Sequence, residues 1–570
     1  METKKPVIEF KDFCFQYNAQ AKPTLKNINL VIYEGEKVLI IGPSGSGKST
    51  LSNCINGLVP FYYEGEITGQ LLVNGKETKK SSIFQLSNEV GTVLQDPDGQ
   101  FIGLTVAEDI AFKLENACVP QEEMKEKVEQ TARLVEIGNQ LESSPQNLSG
   151  GQKQRVTLAG VIVGDVDILL FDEPLASLDP ATGKTAIELI DEIQKKTGKT
   201  IVIIEHRLED VLHREVDRII VMDEGSIIAD TTTEELLGKS LLADTGIREP
   251  LYITALKYAG CEVTPHIKPQ QIHTLQVEEC KDKLLEWYEA CTRELPQEKG
   301  EVVLEFEKVS FGYTPERETL KDISFKVYKG EMLSIVGKNG AGKSTLSKLV
   351  CGFYKPTKGK ILFTGKDMIE DTIKERATRI GMVMQNPNQM ISQSMIFDEV
   401  ALGLRVRGFS EEEVETRVNE TLKICGLYPF RNWPISALSF GQKKRVTIAA
   451  ILVLRPEVII LDEPTAGQDF KHYTEIMEFL KELNKQGMTI IMITHDMHLM
   501  LEYTDRAIVV SEGEMVADNL TTYVLTNKEI ITKAYLKETS LYELALKAEV
   551  QEPRAFVKCF IDYDRRMRSK

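Results

Sequence analysis

Runs of four or five apolar residues recur along the chain, each followed by a short polar stretch. Val38-Leu39-Ile40-Ile41, Ile168-Leu169-Leu170-Phe171 and Ile201-Val202-Ile203-Ile204 have the continuous apolar pattern of strands buried on both faces of a parallel sheet. The same set returns as Met332-Leu333-Ser334-Ile335-Val336, Val458-Ile459-Ile460-Leu461 and Ile490-Ile491-Met492-Ile493. Ahead of each set come short β-rich openers, Val7-Ile8-Glu9-Phe10 with Phe13-Cys14-Phe15-Gln16-Tyr17, and Val303-Leu304-Glu305-Phe306 with Val309-Ser310-Phe311-Gly312-Tyr313. Within each set the period changes to helical, with Met124, Val128, Ala132 and Val135 in the first copy and Val414, Val418, Leu422 and Cys425 in the second. Both stripes read as packing faces, and Ser410 with Glu413 reads as a capping box that starts the second. The pattern predicts two similar α/β modules, 6–235 and 301–530, each with a helical subdomain. A linker, 236–300, carries helix-like pieces such as Lys281 to Tyr288, and a tail, 531–570, ends in a basic run.

A chain of 570 residues exceeds one hydrophobic core, which agrees with the repeat. Its net charge of −17 argues against a general affinity for nucleic acid. The nine cysteines form no CxxC pair, and the first residues do not resemble a secretory leader, so a reducing cytosol is expected. No run approaches the roughly 18 to 20 apolar residues of a membrane span, so work at a membrane would require docking on a partner there. The basic end of the tail is expected to be solvated.

The stretches after the strands carry the chemistry. Gly42-Pro43-Ser44-Gly45-Ser46-Gly47-Lys48-Ser49-Thr50 has the spacing of a phosphate-binding loop, and Gly337-Lys338-Asn339-Gly340-Ala341-Gly342-Lys343-Ser344-Thr345 repeats it. Glycines let successive N–H groups turn toward phosphate oxygens, Lys48 or Lys343 supplies a cation, and Ser49 or Ser344 offers a hydroxyl to magnesium. The site is read as one for a nucleoside triphosphate with Mg2+. Asp172-Glu173 and Asp462-Glu463 end apolar strands, where the first carboxylate would hold magnesium and the second would orient or deprotonate a water. His206 and His495 follow the next strands, in reach of a γ-phosphate. Leu148-Ser149-Gly150-Gly151-Gln152 and Leu438-Ser439-Phe440-Gly441-Gln442 each open a basic helical run, as small polar residues at an anion seat do.

In this order, and twice over, the motifs resemble those of the ATP-binding cassette superfamily, across roughly 460 residues. The resemblance implies two tandem phosphate-loop modules that bind ATP and hydrolyse it. It implies that Tyr17 and Tyr313 stack on adenine, that Gln95 and Gln385 complete the magnesium shell and couple each site to a transmembrane partner, and that His206 and His495 are switch histidines. Ser149, Gly150, Gly151 and Gln152, with Ser439, Gly441 and Gln442, are then the signature residues, and Asp179 and Asp469 follow the catalytic glutamates. In this superfamily two cassettes pack head to tail, so that each ATP meets one phosphate loop and the other module's signature. The copies differ: Phe440 replaces a signature glycine, and Gly467-Gln468-Asp469 stands where the first copy has Ser177-Leu178-Asp179. With both lysines, glutamates and histidines present, both sites are expected to hydrolyse.

Gln95-Asp96-Pro97-Asp98-Gly99-Gln100-Phe101, Gln385-Asn386-Pro387-Asn388-Gln389-Met390 and Glu205-His206 resemble the energy-coupling-factor group of importers. That group implies a transmembrane coupling subunit, a separate membrane substrate-binding subunit, a vitamin or transition-metal cargo, and a location on the cytoplasmic face of the membrane. Phe101 and Met390 are candidate contacts with the coupling subunit. The alternative is a soluble tandem cassette ATPase acting on ribosomes. It would need a basic linker to meet RNA, and residues 231 to 300 lean acidic. A scaffold that binds ATP without turnover is disfavoured by Glu173 and Glu463.

Overall fold

The computed structural model describes residues 4–95, 97–176, 178–291, 300–315, 317–465 and 468–568. Asp96, Ser177, Gly467, Ser569 and Lys570 lie outside them. The chain forms two compact units, Met1–Trp287 and Tyr288–Lys570.

In the first unit the apolar runs form the middle of a six-stranded sheet. Its order is Ser226–Thr231, Arg218–Asp223, Lys37–Ile41, Thr200–Ile204, Ile168–Asp172, Val90–Val93. All neighbours are parallel except the edge pair, which is an antiparallel hairpin. All five residues of Lys37–Ile41 and of Thr200–Ile204 are buried, as a strand covered on both faces requires. Each fully buried Val, Leu or Ile side chain there contributes about 1.5–3 kcal/mol. The alternating openers instead pair antiparallel, Leu25–Tyr33 with Pro6–Tyr17 and Pro6–Tyr17 with Gly65–Val73.

The helical insert comprises Val106–Asn116, Gln121–Leu134 and Gly150–Ile162. Val128, Ala132 and Val135 of the predicted stripe are buried, and Thr105 and Glu108 form a reciprocal cap at the first helix.

The second unit repeats the plan, with its six-stranded sheet in the order Ile380–Val383, Val458–Asp462, Thr489–Ile493, Met332–Val336, Arg506–Ser511, Glu514–Leu520. Ser410 caps Glu411–Ile424 by accepting from the Glu413 amide.

Most of the stretch read as a linker packs on the first module. The Leu251 amide donates to Glu209 (2.9 Å), the Gln271 side chain to the His213 carbonyl (3.4 Å), and Leu251–Tyr258 buries Leu251, Tyr252, Ile253, Ala255 and Leu256.

The solvated tail expected from its charge is not found among the described residues. Pro553–Arg568 is a helix that buries Phe556, Val557, Phe560 and Ile561, an i, i+1, i+4, i+5 stripe whose apolar face outweighs the arginines at its end. Two of those arginines are paired, Arg568 with Glu502 (3.1 Å) and Asp564 (2.8 Å) and Arg565 with Asp505 (3.1 Å), while Arg566 is exposed. The uniformly free thiols expected of a reducing compartment are not found either, since a disulfide joins Cys291 to Cys559 within this unit. Spacing in sequence could not show it, because 268 positions separate the two cysteines.

Candidate functional site

The phosphate loop leaves the carboxyl end of Lys37–Ile41, Asp172 ends the strand Ile168–Asp172, His206 follows Thr200–Ile204, and Gln95 follows Val90–Val93. Four parallel strands therefore deliver these groups to one edge of one sheet, where ligands of open α/β sheets bind. Each glycine loop curls tightly before its helix. Gly47 and Gly342, at φ 99° and 103°, cap Lys48–Ile55 and Lys343–Val350 in the left-handed region. A Cβ on Gly42 would lie 2.3 Å from the Met222 carbonyl oxygen, so no other residue fits there. The buried Lys48 donates to the carbonyls of Gly42 (2.8 Å) and Pro43 (2.9 Å), and Lys343 to those of Gly337 (2.7 Å) and Lys338 (2.9 Å). Ser44, Gly45 and Ser49 share the first loop, and Asn339, Gly340 and Ser344 the second.

Beyond each strand the paired carboxylates diverge in conformation. Glu173 has φ 49° and Glu463 φ 46°, a left-handed backbone unusual for glutamate and costing about 1 kcal/mol. Glu173 is gripped on both oxygens: His206 Nε2 lies 2.6 Å from Oε1, and the Gln95 amide donates to Oε2 at 2.8 Å. Burial pushes its carboxyl up, but the hydrogen bond and charge of His206, with Lys48, prevail and hold it below the usual range.

Glu463 has a different set of partners. His495 approaches through Nδ1 (2.7 Å), and the second oxygen accepts from Thr494 Oγ1 (3.2 Å). Among the described residues no hydrogen bond joins the Gln385 side chain to Glu463. The residue before the histidine explains part of the difference. In the first module it is the buried Glu205, which accepts from the amides of Leu175 (3.1 Å), His206 (2.9 Å) and Arg207 (3.3 Å), and whose carboxyl burial pushes up.

Asp172 Oδ1 is buried without a hydrogen-bond partner, and burial, then the Glu173 charge, pushes its carboxyl up to about 6. Burial and Glu463 likewise raise Asp462, against a hydrogen bond from Ser344. Closely set carboxylates with an unshared oxygen beside a serine hydroxyl are a donor set suited to a hard divalent cation such as Mg2+.

Tyr17 and Tyr313 are each held by a hydroxyl contact to the last residue of the phosphate loop, Thr50 and Thr345, at 3.1 Å in both modules. The signature residues sit on the insert rather than on the sheet. Ser149 with Gln152, and Ser439 with Gln442, cap their helices reciprocally, so that Gly150, Gly151 and Gly441 lie in the first turns, the first two half-buried and Gly441 buried. Phe440 is 42% exposed. Asp179 and Asp469 cap the helices Pro180–Thr197 and Phe470–Lys485, and Asp469 also meets His472 Nδ1 at 2.7 Å. Phe101 and Met390 are half-buried, while Ile102 and Leu104 beside Phe101 are 64% and 82% exposed.

Three features escaped the reading of the motifs: the Thr494 hydroxyl on Glu463, the Gln100 side chain, and Lys444, a lysine only 1% exposed. The differences are visible when the copies are aligned, Gln100 against Met390 and Gln154 against Lys444, but nothing in the letters says how far these positions are buried or what they touch.

The family described as ABC transporter matches residues 25–176 and 320–466. The chain belongs to the ABC transporter family. An ABC transporter ATP-binding protein of Clostridium perfringens is 64% identical over 99% of this chain and 100% of its own length. One of Enterococcus faecalis is 59% identical over the same shares. A solved structure, cbiO1 of Clostridium perfringens, described as part of the ABC transporter complex cbiONQ, is 37% identical over 41% of this chain and 94% of that one, with a TM-score of 0.39. Residues 239–311 match a family described as ATP-binding cassette cobalt transporter. The chain is thus an ABC transporter ATP-binding protein with two tandem cassettes, and an ATPase. No helix among the described residues is long and apolar enough to cross a membrane.

Proposed function

We propose that this chain is the energy-coupling ATPase of an importer of the energy-coupling-factor type, carrying a vitamin or a transition-metal ion. The observation that carries the reading is that residues 239–311, most of which lie between the two sets of cassette motifs, match a family described as ATP-binding cassette cobalt transporter. The exposed Ile102 and Leu104 after Gln95 supply an apolar surface for a membrane partner. In this reading the chain docks from the cytoplasmic face on a transmembrane coupling subunit, which works with a separate membrane substrate-binding subunit. Nucleic acid is no part of it.

Within each site, the phosphate-loop amides and Lys48 or Lys343 hold the phosphates of ATP, and Tyr17 or Tyr313 meets adenine. Magnesium would be held by Ser49, Asp172 and Gln95 in one module, and by Ser344, Asp462 and Gln385 in the other. When bound it neutralises charge on the phosphates. Glu173 and Glu463 orient or deprotonate the attacking water, a role worth roughly 100- to 10,000-fold. His206 and His495 hold those glutamates by the hydrogen bonds described and sense the γ-phosphate. Intramolecular pairing of the modules, each offering its signature to the other's nucleotide, makes ATP binding and hydrolysis a two-state switch.

The test is affinity capture of the chain from detergent-solubilised membranes of its own host, with mass spectrometry of what it retains. A small polytopic membrane protein with a substrate-binding partner is expected, and uptake of radiolabelled Co2+ by vesicles holding that assembly then divides metal from vitamin. Ribosomal proteins without a membrane protein would overturn the reading.

A further inference from the structure

In the second module the signature helix, Phe440–Leu452, carries a lysine where the first carries Gln154. Lys444 is 1% exposed, and its ammonium donates to two backbone carbonyls, Met384 and Gln385, each at 2.8 Å. A buried ammonium requires such acceptors, and charge-assisted bonds of this kind are about twice as strong as neutral ones. The charges of Asp462 and Glu463 also act on it, against a burial that pushes it down to about 8.

Gln154 reaches elsewhere. Its amide donates to the Pro174 carbonyl (2.8 Å), in the turn after Glu173. The first module anchors its glutamine segment through Gln100, which accepts from the Leu94 amide (2.9 Å) and donates to the Thr92 carbonyl (3.1 Å). At the matching place the second module has Met390, whose thioether offers only a weak acceptor to the Met384 amide (3.1 Å). The two exchanges are complementary: where the amide anchor is lost from the segment, a cationic anchor has come in from the signature helix.

We propose that Lys444 is a positioning residue of the second ATP site, tying the Met384–Gln385 backbone to the signature helix so that the two move as one piece. In the first module the glutamine segment is held from within and Gln95 is held by Glu173. The functional part of this inference rests on the reading of Glu463 as the group that drives hydrolysis in its module.

The experiment uses the full chain with Lys444→Gln, Lys444→Met, and Lys444→Gln combined with Met390→Gln, which rebuilds the first module's pair. Hydrogen exchange of residues 384–390 is expected to quicken about tenfold in the single variants. It should return toward the parent rate in the double variant, with residues 94–100 unmoved throughout. MgATP turnover should follow, kcat falling a few-fold at nearly constant KM and recovering in the double variant. Unchanged exchange in both single variants overturns the proposal. So does a loss that Met390→Gln leaves unrepaired, including a failure to fold. Glu463→Gln separates the two readings: if it leaves turnover intact the role of Glu463 fails, while the exchange result still decides on the tether.

Discussion

The two ATP sites of this chain share strands, loops and backbone strain, yet hold their paired carboxylates differently. Glu173 is gripped by His206 and Gln95, and the turn beside it by Glu205 and Gln154. Glu463 is gripped by His495 and Thr494, while Lys444 takes the glutamine segment. Duplication has kept what the sheet imposes, namely which strand ends deliver which group. It has let the surrounding partners change, because a buried polar atom needs a partner but not a particular one.

The largest test of this comparison is the pair Glu173→Gln and Glu463→Gln. Each is expected to lower ATP turnover only in part, and the double variant to lower it at least about 100-fold, measured in steady state on the full chain. If one single change leaves turnover untouched, that module does not hydrolyse and the sites differ in kind. Next comes the residue before the histidine. Glu205→Thr removes the acceptor of three amides in a buried turn and is expected to cost about 3 kcal/mol by urea unfolding. Thr494→Ala removes the donor to Glu463 and the acceptor of the Asp496 amide and is expected to cost about 1–2 kcal/mol. Equal costs would show that the two turns are held alike.

A smaller contrast lies under the sheets. Lys37 and Asp191 form a buried ion pair in the first module, where the second has Met332 in place of Lys37. Burial pushes the Asp191 carboxyl up, but Lys195 and Lys37 outweigh it and hold it below the usual range. A lowered carboxylate adds stability above its unfolded value near pH 3.9, and that stability is lost as pH falls through the folded value. The first unit is therefore expected to lose a few degrees of Tm in acid that Asp191→Asn no longer loses, seen by calorimetry at pH 3 and pH 7. Smallest is Phe440→Gly, which restores the signature of the first copy at an exposed first helical turn. It should cost about 0.5–1 kcal/mol and change turnover less than about threefold. A loss of all turnover would give Phe440 a part in the chemistry.

Much of the site was legible beforehand because its chemistry is written in short contiguous motifs. Phosphate loops, Asp-Glu pairs and strand-end histidines each carry their meaning within a few residues, and the apolar runs place them at the ends of parallel strands. The tail was misread for a physical reason: charge at its end was weighed above the stripe of Phe556, Val557, Phe560 and Ile561, which buries the helix and draws Arg565 and Arg568 onto carboxylates of another element. The Cys291–Cys559 disulfide escaped because it joins positions 268 apart.

By itself the sequence determined that this protein has two cassettes, where their motifs fall along the chain, and that the copies differ at Gln100 and Met390, Gln154 and Lys444, Glu205 and Thr494. Only the tertiary structure decided what those differences do. Local spacing and periodicity are properties of the chain, whereas the partner of a buried ammonium or carboxylate is chosen by whichever distant backbone the fold brings within about 3 Å.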